Sequence, residues 1–188
     1  MRRFAFALTV AALLGSPVLA QTTPAAASTT RAAPAPVSTA TTPILLGGQL
    51  ATPRSYLLSD LQALPSQDVS LTYTAAGKSV THTFRGVLLS DLLTAAKPTF
   101  DPKVKNASLG WYVLAQGADG YSALFSLGEI DPGFGNRAVL LAYEQDGQPL
   151  PATDGAIRLV VPGDLKGGRY VSSLVRLTVL PAAPPASY

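Results

Sequence analysis

The chain has 188 residues, of which 47% are hydrophobic and 13% charged, so it is long enough for one domain with a sizeable core. Of the 14 basic side chains, Arg2 and Arg3 belong to the leader described below, and the rest exceed the 11 acidic side chains by only one. This balance excludes the basic surface of a nucleic-acid-binding protein. The sequence has no cysteine, which excludes disulfides and thiolate metal sites.

Residues 1–20 have the order of a secretory signal peptide. The two arginines precede an apolar segment at residues 4–14, and Val18 and Ala20 lie just before the expected cut. The apolar segment of about 11 residues is too short to cross a bilayer as a helix. We therefore predict cleavage after Ala20, a periplasmic or secreted location, and no stable membrane span after cleavage. An uncleaved anchor is the alternative.

Residues 21–43 form a low-complexity stretch in which Ala, Thr, Pro and Ser supply 20 of the 23 positions. This composition buries too little apolar surface to fold, so we predict a disordered linker. A glycosylated or wall-threading stalk is the alternative. The sequence places one folded domain at residues 44–180 and a flexible tail at residues 181–188.

The first half of the predicted domain mixes strand and helix patterns. A strand opens the domain, and a short helix capped by Ser59 follows within residues 55–64. Alternating apolar residues then predict a β-hairpin that turns at Gly77. Gly86 is expected to end the second strand of this hairpin, and Ser90 is expected to cap a second helix.

The second half of the predicted domain consists mainly of strands. Tight turns are predicted at Asp119-Gly120 and Asp146-Gly147, and Ser126 with Glu129 forms a capping-box pattern. Because strands outnumber helices, we predict an α+β fold with a mixed, largely antiparallel sheet and short helices. The strands are predicted at residues 111–115, 121–125, 139–143, 157–161 and 170–180.

Several short motifs follow one another in a characteristic order. They are Phe84-Arg85-Gly86-Val87 with the leucine-rich residues 88–93, Asp119-Gly120-Tyr121, Leu141-Ala142-Tyr143, Gly147-Gln148-Pro149-Leu150, and Arg158-Leu159-Val160-Val161-Pro162-Gly163. Together they resemble the molybdopterin-binding domain of the sulfite-oxidase type, over residues 57–179. The resemblance implies the fold of that family and a pterin cofactor.

The chain departs from this family at the metal ligand. The resemblance implies a molybdenum-ligating cysteine at about Thr74 or Ala75, and neither residue carries the soft sulfur that such a site uses. The resemblance also implies a cofactor that is loaded into a folded protein in the cytoplasm, whereas general secretion exports an unfolded chain. We therefore expect no bound cofactor, with molybdopterin as the alternative.

The resemblance places two loops, residues 74–78 and residues 163–169, around one pocket, and the second loop is implied to hold the pterin phosphate. Residues 163–169 are rich in glycine and carry cations, which bind anions well. An ordinary turn is the alternative interpretation of this loop. The predicted cofactor-binding or ligand-binding residues are Thr74, Ala75, Gly77, Lys78, Asp119, Arg158, Gly163, Lys166 and Arg169.

Other polar residues have simpler interpretations beside the functional ones. Asp119 also fits a turn position, and Arg158 also fits a structural pair with a carboxylate. His82 is the single histidine, and without clustered ligands it is interpreted as structural rather than as a base or metal ligand. Ser126 is interpreted as a helix cap. No catalytic residue and no metal ligand is predicted.

Three functional hypotheses follow. The first is an exported binding or interaction module of the cell envelope that takes a small anionic or pterin-like ligand. The second is a molybdopterin-dependent oxidoreductase with a non-cysteine molybdenum site, and the third is a structural envelope protein. The sequence leans away from an enzyme, excludes nucleic acid as a partner and does not identify a protein partner.

Overall fold

A computed structural model describes residues 42–182 of the chain. The predicted signal peptide, most of the predicted linker and most of the predicted tail lie outside the described residues, so these domain bounds stay predictions. Within the described part, no helix has the length and apolar content needed to cross a membrane.

Strands dominate the described residues, and the helices are short. The strands are β1 (Ile44–Gly48), β2 (Arg54–Tyr56), β3 (Gln67–Ala75), β4 (Lys78–Leu88), β5 (Trp111–Gly117), β6 (Ser122–Ser126), β7 (Leu140–Gln145), β8 (Gln148–Pro149), β9 (Arg158–Val160) and β10 (Leu174–Pro181). The helices are α1 (Leu58–Gln62), α2 (Leu89–Ala96) and α3 (Leu127–Ile130).

These strands form two sheets. The first has the order β2-β1-β10-β5-β6, in which only the β1–β10 pair is parallel. The second has the order β3-β4-β7-β8, and β9 also pairs with β7; all of its pairs are antiparallel. The predicted α+β class with a mixed, largely antiparallel sheet is therefore confirmed, although the strands divide between two sheets.

One hydrophobic core joins the two sheets. Val113 and Leu177 of the first sheet and Phe84 and Leu141 of the second are fully buried members of the same cluster. They come from alternating or continuous apolar runs, which place side chains on the covered face of a strand. Packing of this kind holds a domain that has no disulfide.

The predicted β3–β4 hairpin is confirmed, but its second strand runs past the expected end. The turn lies at Ala76 and Gly77, which both have positive φ angles. Gly86 sits instead at a bulge where β4 changes register against β7. A Cβ atom there would lie 2.1 Å from the carbonyl oxygen of Leu141, so this close strand approach requires glycine.

Two predicted helix caps are wrong and one is confirmed. The first helix is preceded by Leu57, whose N–H donates to Asp60 Oδ2 at 2.8 Å, so Ser59 lies inside the helix. The second helix begins after Leu88, because β4 leads directly into it, rather than at Ser90. Ser126 caps α3 as predicted, and its Oγ accepts from the Gly128 N–H at 3.1 Å.

Two predicted element boundaries are also wrong, for a tertiary reason. Tyr56 pairs with Ile44 in β2, although its sequence context predicted helix. Tyr170 and Val171 precede β10 rather than belonging to it, because a 3-10 turn at Gly167–Arg169 brings the chain across the end of β3. That turn is what positions the candidate site.

Candidate functional site

The two loops predicted to surround a pocket meet at the end of β3. The Thr74 N–H donates to the Leu165 carbonyl at 2.9 Å, and Thr74 forms an isolated parallel bridge with Lys166. Beyond this contact, Gly167 lies against the Tyr73 ring, where a Cβ atom would be in ordinary contact with the ring carbons at 3.4 Å. We call this contact the loop junction, defined by residues 73–78 and 163–169.

Arg169 is fixed at the loop junction by three carboxylate contacts. Its Nε donates to Asp164 Oδ2 at 2.9 Å, its Nη2 to Asp164 Oδ1 at 2.7 Å, and its Nη1 to Glu129 Oε1 at 3.0 Å. The guanidinium also stands over the Phe125 ring, 5.2 Å from its centre. The hydrogen bond to Asp164 raises the pKa of Arg169 above its ordinary value.

A second arginine completes the cluster. Arg137 Nη1 donates to Asp164 Oδ1 at 3.0 Å, so Asp164 is shared by two guanidinium groups. We call Arg137, Arg169, Asp164 and Glu129 the Arg169 cluster. Two cations and two carboxylates cancel in net charge. The cluster therefore holds the loop in place and presents no surplus positive charge for a multiply charged anion.

The predicted lysines do not converge on Arg169. Lys166 and Lys78 are both exposed. Lys166 is the bridge partner of Thr74, whereas Lys78 is the register partner of Ala75. Because neighbouring residues of a strand face opposite sides, the two lysines lie on opposite faces of the hairpin end. Ala75 and Gly77 lie at the hairpin end, and Gly163 is exposed with a positive φ angle.

Arg158 lies below the loop junction and is engaged with its own neighbours. Its Nη1 donates to Asp154 Oδ2 at 2.9 Å, and its guanidinium stands 5.4 Å from the Tyr170 ring centre. Within residues 42–182 its buried Nε has no hydrogen-bond partner. The Tyr170 ring packs against Tyr73, with centres 4.9 Å apart. Arg158 therefore supports the loop junction through Tyr170 and does not line it.

Burial changes the acidity of this supporting tyrosine. Burial, with the nearby Tyr73 and Asp164, raises the pKa of Tyr170 to about 12, although Arg158 opposes the shift. The Tyr170 hydroxyl donates to the Val161 carbonyl at 3.2 Å. Tyr170 is thus a neutral structural donor across the ordinary pH range.

Asp119 occupies a turn position, as the alternative interpretation of this residue predicts. Its Oδ1 accepts from the Tyr121 N–H at 2.9 Å, within the turn between β5 and β6. The turn nevertheless brings Tyr121 to the site, because its hydroxyl donates to the Gly168 carbonyl. Asp119 therefore acts through Tyr121, and the structure shows no contact of its carboxylate with the loop junction.

Sequence reasoning missed four residues of the site. The sequence patterns include Tyr121 and Glu129 only as parts of motifs and predict no role for Asp164 or Arg137. The spacing of Ser126 and Glu129 predicts a capping box, but the Glu129 side chain binds Arg169 instead. The one available signal is the presence of Asp164 in the same glycine-rich loop as Arg169, because arginine and carboxylate groups form bidentate pairs.

The donor set at the loop junction does not fit a molybdenum ion. The position implied for the cysteine carries Thr74 or Ala75, and the whole chain lacks cysteine. In the part of the chain that the structure describes, no three His, Cys, Asp or Glu side chains come together as a metal site. Among the described residues, His82 Nδ1 lies 2.7 Å from Asp146 Oδ2 and 3.1 Å from Gln145 Nε2.

Two curated proteins are similar to this chain in sequence. Nitrate reductase [NADPH] of Fusarium oxysporum is 36% identical over 101 residues, covering 50% of this chain and 10% of that protein. The Leptosphaeria maculans enzyme of the same name is 37% identical over 112 residues, covering 56% of this chain and 11% of that protein. The chain thus spans about a tenth of the length of these curated relatives.

A solved structure and a family profile extend the agreement to most of the chain. The crystal structure of the sulfane dehydrogenase SoxCD from Paracoccus pantotrophus matches with a TM-score of 0.62 and 21% identity. The match covers 78% of this chain and 39% of that one, and it shows the fold alone. The profile described as oxidoreductase molybdopterin binding domain matches residues 32–188. The chain therefore belongs to the oxidoreductase molybdopterin-binding domain family.

Proposed function

We propose that this domain is an exported binding module of its family that works without a molybdenum centre. The proposal rests on the position of Thr74. This residue occupies the place expected for the metal-ligating cysteine of the family, and its backbone pairs with the loop at residues 163–169. A threonine oxygen is a poor substitute for a soft thiolate. The order of charged, apolar and small residues at positions 1–20 supports a periplasmic or secreted location.

The ligand that suits the loop junction is a small anion or a pterin-like molecule with one negative group. Exposed Lys166 and the main-chain N–H groups of the glycine-rich loop offer the donors. Asp164 and Glu129 already take the donors of Arg169, so a dianion would meet two carboxylates beside its cation. Lys166 is the direct contact in this proposal, and Arg169 orders the loop that presents it.

Calorimetry at pH 7 with formate and with pterin-6-carboxylate, which each carry one negative carboxylate, tests the ligand. Lys166→Ala should weaken binding about tenfold, the loss of one charge-assisted contact. Lys105→Ala removes the same charge from an exposed position outside the loop junction and should leave affinity unchanged. Equal affinity in both variants would place the ligand elsewhere, and no heat from either compound would favour a structural envelope protein.

A molybdopterin-dependent oxidoreductase is the second candidate, because the family and the named relatives favour it. In that case the side-chain oxygen of Thr74, or an oxygen from another group, would ligate the molybdenum in place of the cysteine sulfur. Elemental analysis and native mass spectrometry of protein taken from its own envelope separate the two candidates. We expect no stoichiometric molybdenum, whereas about one molybdenum per chain would establish the oxidoreductase and reject the metal-free module.

A further inference from the structure

A second pocket lies between α2 and α3, and none of the residues predicted to bind a ligand lines it. It has a volume of about 190 Å³. Its walls come from α2, from the segment at residues 98–108, and from α3 with the two residues that follow it. We call it the α2–α3 pocket.

The interior of the α2–α3 pocket is apolar and well supported. Leu93, Leu127 and Ile130 line it, and each is at most 6% exposed. The Phe100 ring closes one side and is held edge-on by Trp111, with ring centres 5.0 Å apart and planes at 86°. The wall is therefore part of the core and does not depend on a free side chain.

The segment that carries Phe100 is tied by backbone contacts to residues 49–51, which follow β1. The Thr99 N–H donates to the Gln49 carbonyl at 3.1 Å, and the Ala51 N–H donates to the Lys97 carbonyl at 2.9 Å. Leu50 also forms a bridge with Pro98. These contacts fix the backbone just before Phe100, so a ligand would not need to order this part of the wall on binding.

Asp131 is the one charged residue among those that line the pocket. Its Oδ1 accepts from the Gly133 N–H at 2.8 Å, which fixes the direction of the carboxylate. Within residues 42–182, Oδ2 has no hydrogen-bond partner and belongs to no ion pair. A half-buried carboxylate beside an apolar chamber favours a ligand that pairs an apolar body with a single cation.

The volume of the pocket suits an apolar body of one ring. An engineered apolar cavity of about 150 Å³ takes benzene, so this chamber suits one ring with a short side chain. We propose that the α2–α3 pocket is a second binding site, for a compact aromatic amine whose ring lies among Leu93, Phe100 and Ile130 and whose ammonium group meets Asp131. This proposal is independent of the ligand at the loop junction.

Three probes of one shape test this proposal by calorimetry at pH 7. 2-Phenylethylamine should bind with a dissociation constant on the order of 1 mM or lower. 2-Phenylethanol, which lacks the charge, should bind about tenfold more weakly, and phenylacetate should not bind. Equal affinity for the three probes, or no binding of the amine at several millimolar, would overturn the proposal.

Matched variants locate the binding. Thr94→Trp fills the mouth of the pocket and should abolish binding of the amine, whereas Ala95→Trp adds the same ring to an exposed neighbour on α2 that does not line the pocket. Asp131→Asn keeps an acceptor for the Gly133 N–H and should weaken the amine about tenfold. Asp91→Asn, which removes an equal charge from exposed α2 surface, should not.

A chemical-shift map gives a second readout that does not depend on the variants. The amide signals of Leu127 and Ile130 should move on addition of the amine, with those of Thr74 and Lys166 unchanged. Undiminished binding to Thr94→Trp, or shifts confined to the loop junction, would rule out the α2–α3 pocket as the site.

Discussion

Two arginines of this domain make similar bidentate ion pairs in different surroundings. Arg85 binds Asp68 at 2.9 and 3.0 Å on the outer face of the β3–β4 hairpin, where the two side chains are 47% and 53% exposed. Arg169 binds Asp164 at 2.9 and 2.7 Å, with exposures of 35% and 14%, and adds Glu129 and Phe125.

The difference teaches that hydrogen-bond geometry alone does not rank these pairs. Water screens the Arg85 pair and solvates either partner when the other is removed. In the Arg169 cluster, removal of the Arg169 guanidinium takes the ion-pair partner from Glu129 and one of two partners from Asp164, and both carboxylates are partly buried. The exposed pair belongs to the surface, whereas the half-buried cluster builds the candidate site.

The largest effect is expected from Arg169→Ala. It should lower the free energy of unfolding by about 2 kcal/mol, since it removes charge-assisted hydrogen bonds from a partly exposed site. Arg85→Ala is the matched control and should leave the urea midpoint unchanged. Urea unfolding at pH 7 with both variants measures this, and equal midpoints would mean that burial does not distinguish the two pairs.

The next effect concerns binding rather than stability. Asp164→Asn removes the carboxylate that Arg137 and Arg169 share, so the two guanidinium groups gain a surplus positive charge. We expect the affinity for sulfate to rise about tenfold. Asp68→Asn removes a partner from the exposed Arg85 alone, which keeps Glu144 at 4.0 Å, and should change sulfate affinity little. Calorimetry on both variants measures these affinities, and an unchanged sulfate affinity in Asp164→Asn would contradict the charge argument.

A smaller effect is expected at Tyr170, a buried residue next to Arg169 in the chain. Tyr170→Phe removes the hydrogen bond to the Val161 carbonyl and should cost about 1 kcal/mol at pH 7. The folded protein holds the pKa of Tyr170 at about 12, above its ordinary value near 10. Stability that the wild type has below pH 10 is therefore lost as the pH rises from 10 through 12.

The phenylalanine variant lacks the titrating group and should lose less stability over the same interval. Urea midpoints measured from pH 8 to pH 12 would show the gap between the two proteins narrowing. A constant gap across that range would indicate that Tyr170 titrates normally in the folded protein.

The smallest effect is expected at Asp146, whose side chain is exposed like those of Arg85 and Asp68. The Thr83 N–H and the His82 ring hold the pKa of Asp146 below its usual value. Its contribution is present above about pH 4 and is lost as the pH falls through the lowered folded pKa. Asp146→Asn should be slightly less stable than wild type near pH 6, and the difference should vanish in strong acid. An acid titration of thermal midpoints measures it, and a gap that widens on acidification would reverse the assigned sign.

Local pattern predicted the parts of the fold that depend on neighbours in sequence. The β3–β4 hairpin with its turn at Gly77 and the Ser126 cap follow from alternation, glycine and a short polar side chain, and the structure confirms them. The family motifs also predicted the fold class correctly. Ser59 and Ser90 failed as caps because a carboxylate at Asp60 and the direct passage from β4 into α2 took their place.

The sequence by itself determined that this domain has no thiolate ligand and that it has a glycine-rich loop. The absence of cysteine and the glycine-rich run at residues 163–169 are properties of composition that no fold can change. Only the tertiary structure decided which charges are free. The sequence alone predicts that Arg169 is a cation available to a ligand. In the structure its guanidinium is hydrogen-bonded to Asp164 and to Glu129, which lies 40 positions away in the chain. Partners so distant in the chain are chosen by packing, because a guanidinium that is partly withdrawn from water is stable only where folding brings carboxylates to it.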